Sequence, residues 1–345
     1  MGGGGFIVFF FMSKIKFVHK YEDIIKTENL LEAWKEFLRG KKKKDDVQIF
    51  ERNLMQNIFS LNADLKTRTY EHSKYEAFNI SDPKPRTIHK AKVRDRLLHH
   101  AIYRYLYPFF NKTFIADSFS CRLDKGTHGA IKRLDGFYLK VSKNNTKQVW
   151  VLKCDVRKFF DSINHEILLN ILDSYIEDKE VTELLRKIIS SFYKKEVGVG
   201  LPLGNLTSQL FVNIYMNIFD QFVKHKLKAK CYIRYSDDFV ILSKNKEWLE
   251  SILPKITDFL SERLKLSLHP NKVSIKTFSS GTDFLGWVNF HNHKVLRTRT
   301  KKRMFRNILA KNFKKEVVQS YLGLLSHGNT NKIKNNLLRQ IPVSF

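Results

Sequence analysis

Cysteine is scarce: Cys121, Cys154 and Cys231 are the only three in 345 residues, and no two make a CxxC pair. That excludes a disulfide scaffold and a cysteine-built zinc site, and predicts buried thiols in a reducing, cytoplasmic setting. Glycine and proline number 15 and 7, too few for a collagen-like or low-complexity chain. Long apolar runs are missing too. The one hydrophobic stretch, residues 6–12 after four glycines, falls short of the ~20 residues of a membrane span and lacks the basic start of a signal peptide. Residues 1–12 therefore read as a disordered extension, with Met12 an alternative start, and no membrane association is expected. Acidic charge is also short. The 34 Asp and Glu face 62 Lys and Arg, a net charge of +28 that calls for a polyanionic partner.

What is present is enough to fold. The chain is 43% hydrophobic and 13% aromatic, which rules out intrinsic disorder. Apolar positions at helical spacing predict two helices between residues 21 and 59, separated by Lys41–Lys44, a run that reads as a solvated loop or as a phosphate contact. Pro83 and Pro85 mark an irregular stretch. A helix through Leu97, Leu98, Ala101, Ile102 and Leu106 is predicted to stop at Pro108. Residues 149–155 form a short apolar run ending on Asp155, the pattern of a buried strand with a carboxylate at its tip. Helices follow from Asn164 and across 206–227, then a hairpin over 232–242 with Asp237 and Asp238 at its turn, a helix over 249–264 and a strand over 273–278. That order describes an α+β domain with an antiparallel sheet and helices on one face. A basic segment, residues 291–306, is predicted to continue as helix.

Three acids held on neighbouring strand ends repel one another, and a divalent cation relieves the repulsion. Magnesium takes hard oxygen ligands, commonly one or two carboxylates plus substrate phosphates, and a pair of such ions promotes in-line phosphoryl transfer. Asp155, Asp237 and Asp238 suit that task. The competing reading of Asp237-Asp238 is ordinary turn chemistry.

Tyr235-Ser236-Asp237-Asp238 between apolar strands, with Asp155-Val156-Arg157-Lys158-Phe159-Phe160-Asp161 upstream, resembles the catalytic motifs of reverse transcriptases. Pro83-Lys84-Pro85-Arg86, Arg94-Asp95-Arg96, Cys121-Arg122, Lys125-Gly126-Thr127-His128 and Phe284-Leu285-Gly286-Trp287 stand in the order that family uses, so the resemblance covers residues 20–325. It implies a right-hand polymerase fold: fingers 13–148, a palm with an antiparallel sheet at 149–290, and a short helical thumb at 291–345. The stretch from Leu203-Gly204 to Ser208-Gln209 resembles the reverse transcriptases of diversity-generating retroelements, which copy a template RNA with many errors opposite adenine. An aliphatic Leu203 in place of a hydrogen-bonding amide removes one geometric check on the nascent pair.

The resemblance assigns roles residue by residue. Asp155, Asp237 and Asp238, with Val156, would hold two Mg2+ ions, for which Mn2+ could substitute. Arg86, assisted by Lys84, would contact the dNTP triphosphate, where a planar, permanent cation suits. Phe160 would pack on the sugar and exclude a 2′-hydroxyl, with a core ring as its competing reading. Leu203, Gly204 and Gln209 complete the dNTP site. Lys272 would protonate the pyrophosphate leaving group, unless it is one more lysine of a basic chain. Phe284, Leu285, Gly286 and Trp287 would be the primer grip, and Arg297, Arg299, Lys301, Lys302 and Arg303 would track the backbone of a cDNA/RNA duplex. His291-x-His293 is too weak a pattern for a metal site. Implied partners are a template RNA, dNTPs and a small basic accessory protein. The residues after Trp287 leave room for a thumb but not for an RNase H domain or a Cys/His endonuclease. The alternatives are a reverse transcriptase of another bacterial lineage, defence-associated or group II intron-derived, a catalytically silent RNA-binding scaffold, or a DNA-binding regulator.

Overall fold

The computed structural model describes residues 15–81 and 84–341. The expected disordered extension and Pro83 lie outside them. In chain order the elements are α1 (Tyr21–Ile25), α2 (Thr27–Phe37), α3 (Asp45–Arg52), α4 (Leu54–Lys66), β1 (Glu76–Ile80), β2 (Arg86–Lys90), α5 (Val93–Thr113), α6 (Thr127–Ser142) and β3 (Trp150–Asp155). There follow α7 (His165–Tyr175), α8 (Lys179–Ser190), α9 (Leu206–Gln221), β4 (Tyr232–Tyr235), β5 (Asp238–Ser243), α10 (Lys246–Leu264), β6 (Ser274–Thr277), β7 (Thr282–Phe284), β8 (Trp287–Asn289) and β9 (Lys294–Leu296). Helices α11 (Thr298–Ala310), α12 (Lys315–Leu325) and α13 (Asn331–Gln340) close the described chain. Contacts divide it into two compact units. One holds the residues up to Ala116 with Val156–Lys226 and Ile256–Ser267; the other holds Asp117–Asp155, Leu227–Lys255 and everything from Leu268 onward.

The first unit is mostly helical. α5 packs along α2 and α9, and α7 along α8 and α9. Leu30, Phe37, Leu97, Ile102, Leu106 and Phe211 are fully buried there or nearly so, each contributing ~1.5–3 kcal/mol. Caps set two of the starts: the Asn164 carboxamide oxygen accepts from Ile167 N–H at 3.0 Å, and Asp178 accepts from Glu180 and Val181 N–H at 2.9 and 3.3 Å. Three predictions fail here. Four helical segments occupy the region of the two expected, because Lys26 and Asn53 leave the helical region of φ/ψ and break each run. α8 was absent from the predicted order, although Val181, Leu184, Leu185, Ile188 and Ile189 line one buried face. α5 does not stop at Pro108 but runs on to Thr113. Pro108 is exposed, while Phe110 is buried with its ring edge-on to Tyr175 at 5.3 Å. Burying such rings recovers ~1.5–3 kcal/mol each, comparable with the ~3 kcal/mol that an interior proline costs.

The second unit carries an antiparallel sheet of order β4-β5-β3-β6. α6, also unforeseen because Gly129 and Gly136 dilute its pattern, lays Ala130, Leu134 and Phe137 on the sheet face formed by Val151, Ile233, Val240 and Leu242. The alternate residues Leu152, Cys154, Tyr232, Phe239 and Ile241 are buried as well. Both faces are covered, not one as expected, since both parities of these strands are apolar. β7, β8 and β9 form a separate antiparallel sheet. The expected continuous helix over 291–306 is instead a β8–β9 hairpin, closed by Phe290 N–H to the His293 carbonyl at 2.8 Å, with helix only from Thr298. Met304, Ile308, Val318, Leu325 and Leu337 from α11–α13 bury one cluster with Trp287 and Leu296.

Candidate active site

β3 lies between β5 and β6, and its register with β5 puts Asp155 directly opposite Asp238. Opposed residues of antiparallel strands point to one face with Cβ atoms about 4.5–5.5 Å apart. The β4–β5 connection has two central residues, Ser236 and Asp237, since Tyr235 pairs with Asp238. Ser236 has φ +59, and a positive φ at the first central residue suits a II′ hairpin turn. Arg234, fully buried, donates Nη1 to the Ser236 carbonyl at 3.1 Å and Nη2 to Ser118 Oγ at 3.1 Å. A buried guanidinium is costly unless its donors are met, so this one fixes the acidic turn. The sequence reading missed it. Its signal is a lone charge inside the apolar run 232–235.

Asp238 is the most perturbed of the acids. Burial pushes its carboxyl up to about 7; the nearby Lys153 ammonium opposes this, while Asp155, Asp237 and Asp283 add to the rise. Lys153 Nζ lies 3.8 Å from Asp238 Oδ2 and donates to the Asp283 carbonyl, while Arg297 donates to the Asp283 carboxylate. Lys153 is a second residue that the sequence reading passed over. Lys272 Nζ sits 2.8 Å from Asp155 Oδ1, so the expected proton donor is beside the acids, ion-paired. Among the described residues no three His, Cys, Asp or Glu side chains form a preformed metal cage. Asp238 Oδ1 is buried with no hydrogen-bond partner. An orphaned carboxylate oxygen between like charges fits a divalent cation of magnesium type, which needs few protein ligands.

This arrangement has a measurable cost. A carboxyl whose pKa is higher in the folded than in the unfolded chain binds its proton more tightly when folded. Stability is then lost as pH rises from the ordinary carboxylate range through 7. In chelator the melting temperature is expected to fall between pH 5 and pH 8, by the equivalent of ~2–3 kcal/mol, the part of the full loss that lies in that window. Added Mg2+ should restore it, and Asp238→Asn should flatten the profile. A profile indifferent to that substitution would refute the buried charge.

The candidate nucleotide residues belong to the first unit. Arg86 is exposed at the start of β2, and Lys84 is exposed just before it. Val156 is buried. Phe159 is buried at 4% exposure and Phe160 only half-buried, the two rings edge-to-face at 5.7 Å, so Phe159 takes the core role. Both begin the 3-10 turn Phe159–Ser162. The loop before α9 is stapled to that turn: Leu201 N–H donates to the Phe160 carbonyl at 2.8 Å, and Gly200 N–H to the Ile163 carbonyl at 2.8 Å. Its other end meets β2, with His89 N–H donating to the Leu203 carbonyl at 3.0 Å. Gly204 has φ +103, and a Cβ there would meet Ile88 Cγ2 at 2.7 Å, so only glycine fits. One loop therefore ties together the segments carrying Phe160, Leu203 and Arg86, with Gln209 on the first turns of α9.

In the second unit, Phe284 pairs with Trp287 across a two-residue turn in which Leu285 (φ +51) and Gly286 (φ +90) both have positive φ, the I′ geometry. The Phe284 and Trp287 rings are buried, leaving Leu285 and Gly286 as the accessible part. Arg299 and Lys302 are exposed on α11, Lys301 and Arg303 are half-buried, and Arg297 is engaged with Asp283.

A family model described as reverse transcriptase (RNA-dependent DNA polymerase) matches residues 80–289, more than half of the chain. The chain belongs to this family. Its mixed helix-and-sheet fold is that of the right-hand polymerases. This reverse transcriptase is 26% identical to protein YkfC of Escherichia coli over 64% of its own length and 66% of that protein's. It is 23% identical to the group II intron-encoded protein LtrA of Lactococcus lactis over 61% of its own length and 44% of that protein's. The chain thus spans less than two thirds of these relatives. Among solved structures, a partial Cas6-RT-Cas1–Cas2 complex matches at TM-score 0.42 and 22% identity, covering 70% of this chain and 42% of that one. No helix among the described residues is long and apolar enough to cross a membrane.

Proposed function

We propose that this reverse transcriptase is an active RNA-directed DNA polymerase that makes cDNA from a template RNA, with Asp155, Asp237 and Asp238 as its catalytic acids. The observation that carries the reading is Asp155 opposite Asp238, beside the acidic turn that buried Arg234 fixes. These acids, with Val156, would hold two Mg2+, or Mn2+ in its place, and the cations when bound supply activation of the primer 3′-hydroxyl and stabilisation of the leaving group. The chain's own groups do the rest. Arg86 and Lys84 hold the triphosphate, Phe160 excludes ribose, and Leu203, Gly204 and Gln209 border the nascent pair. The Leu285–Gly286 turn steadies the primer end. Lys272, already beside Asp155, delivers the proton to pyrophosphate. Basic α11 follows the duplex backbone. Fingers at 13–148, palm at 149–290 and thumb at 291–345 are the domain division that accompanies this reading. Primer extension on RNA with dNTPs and Mg2+ tests it; absence of any product with intact protein would end it.

Leu203 to Gln209 supports the narrower proposal of an error-prone enzyme from a diversity-generating retroelement, working with a structured RNA and a small basic accessory protein. The likeness to LtrA favours a second reading, an enzyme of the group II intron lineage. Fidelity separates them. One lost hydrogen bond is worth ~0.5–1.5 kcal/mol, so Leu203→Gln is expected to lower misincorporation at template adenine by roughly three- to twelve-fold, with other bases less affected. Sequenced cDNA showing adenine copied as accurately by wild type as the other bases would remove the diversity-generating reading alone.

A further inference from the structure

Asn205 immediately precedes α9, where asparagine is among the best N-caps because its side chain can accept a free N–H of the first turn. Here it makes no capping bond. Its amide instead reaches across to β2, donating Nδ2–H to the His89 carbonyl at 2.8 Å. Two residues earlier in the same loop, the Leu203 carbonyl accepts from His89 N–H at 3.0 Å. In a two-stranded sheet the N–H and C=O of one residue leave by the same edge, so both bonds use the edge of β2 turned away from β1. Leu203 and the Asn205 amide thus mimic a short third strand, the side chain standing in for a backbone N–H. Asn205 is 2% exposed, and its Oδ1 is buried with no hydrogen-bond partner. The fold forgoes a cap and leaves an acceptor unmet, both unfavourable, to keep this one donor in place.

We propose that Asn205 is a positioning residue of the nucleotide pocket, whose amide clasps the Leu203–Gly204 turn to β2 and so holds Leu203 in register with Arg86. The inference rests on the reading of Arg86 and Leu203 as nucleotide contacts. Arg86 lies three residues before His89, roughly 10 Å along the strand, so the clasp fixes the spacing between the residue beside the base and the residue on the triphosphate. The contact of Gly204 with Ile88 keeps the turn pressed on the same strand.

Asn205→Leu tests this, because leucine has nearly the same shape, removes the donor, and also removes the unmet acceptor. The variant is expected to melt close to wild type, since the His89 carbonyl loses its donor while the unmet Asn205 acceptor is removed. It should raise the KM for dNTP roughly 3- to 10-fold with kcat within about two-fold, and raise errors at all four template bases alike. Asn205→Gln, which retains an amide donor, should recover part of the KM. Hydrogen exchange in the peptide spanning β2 gives a readout free of activity, since the His89 amide should exchange faster in Asn205→Leu. A folded Asn205→Leu protein with wild-type KM, error spectrum and exchange would overturn the clasp. Failure of wild type to make cDNA would instead overturn the polymerase reading, and the positioning role with it.

Discussion

Asp237→Asn or Asp155→Asn is expected to lower DNA synthesis by ~10³-fold or more while RNA binding changes little. Each substitution keeps the side-chain shape and removes one carboxylate charge where Asp155 faces Asp238. On a chain of net charge +28 the loss of one negative charge does not weaken attraction to RNA. Nor should the fold suffer. Lys272, the partner lost by Asp155→Asn, has a side chain 40% exposed against 15% for Asp155, and the amide that replaces the carboxylate can still accept from its ammonium, which keeps the loss to the ~1 kcal/mol of exposed pairs. Asp238→Asn sharpens the contrast, because it relieves a buried charge and should stabilise the protein at neutral pH while abolishing synthesis. Extension assays paired with filter binding decide the matter. Near-normal extension in Mg2+ by either of the first two variants would remove these acids from the chemistry.

Phe160→Ala is expected to let ribonucleotides into the product, reducing discrimination against rNTP by roughly 10²-fold. Selection by exclusion depends on a clash, and a methyl side chain no longer reaches the 2′ position. Since Phe160 is half-buried and Phe159 takes the core place beside it, the stability cost should fall below the ~3–5 kcal/mol of a fully packed phenylalanine. Competition between dNTP and rNTP in single-nucleotide extension measures the effect. A folded variant with unchanged sugar preference would show that the ring only packs.

The elements around the acids were legible because β3 and the β4–β5 hairpin are short apolar runs ending on acids, a pattern with few other meanings. That Asp155 stands opposite Asp238 was not, since register comes from pairing across the sheet. Burial on both faces was written in both parities of β3 and β5, and α8 in its spacing, yet neither was in the predicted architecture. α5 through Pro108 was hidden, because only the folded chain shows that the ring faces water. The supporting residues have the faintest signals. Lys153, Arg234 and Asn205 are single polar residues in or beside apolar segments, and what each bonds to depends on segments remote in sequence.

Arg234 binds Ser118 across 116 residues, and Lys272 binds Asp155 across 117. Contacts that close such long loops must overcome loop-closure entropy before they stabilise anything, and the helical unit needs them too, since α5 packs on α9 from far along the chain. During synthesis Asp155 leaves the ribosome well before its opposite strand exists, so β3 spends that interval as an apolar segment with two unpaired edges, open to wrong partners. The acidic pair can form only once β5 has been made. A chain interrupted just after α10 would have most of its helices and the Asp155–Asp238 pair, but no Lys272.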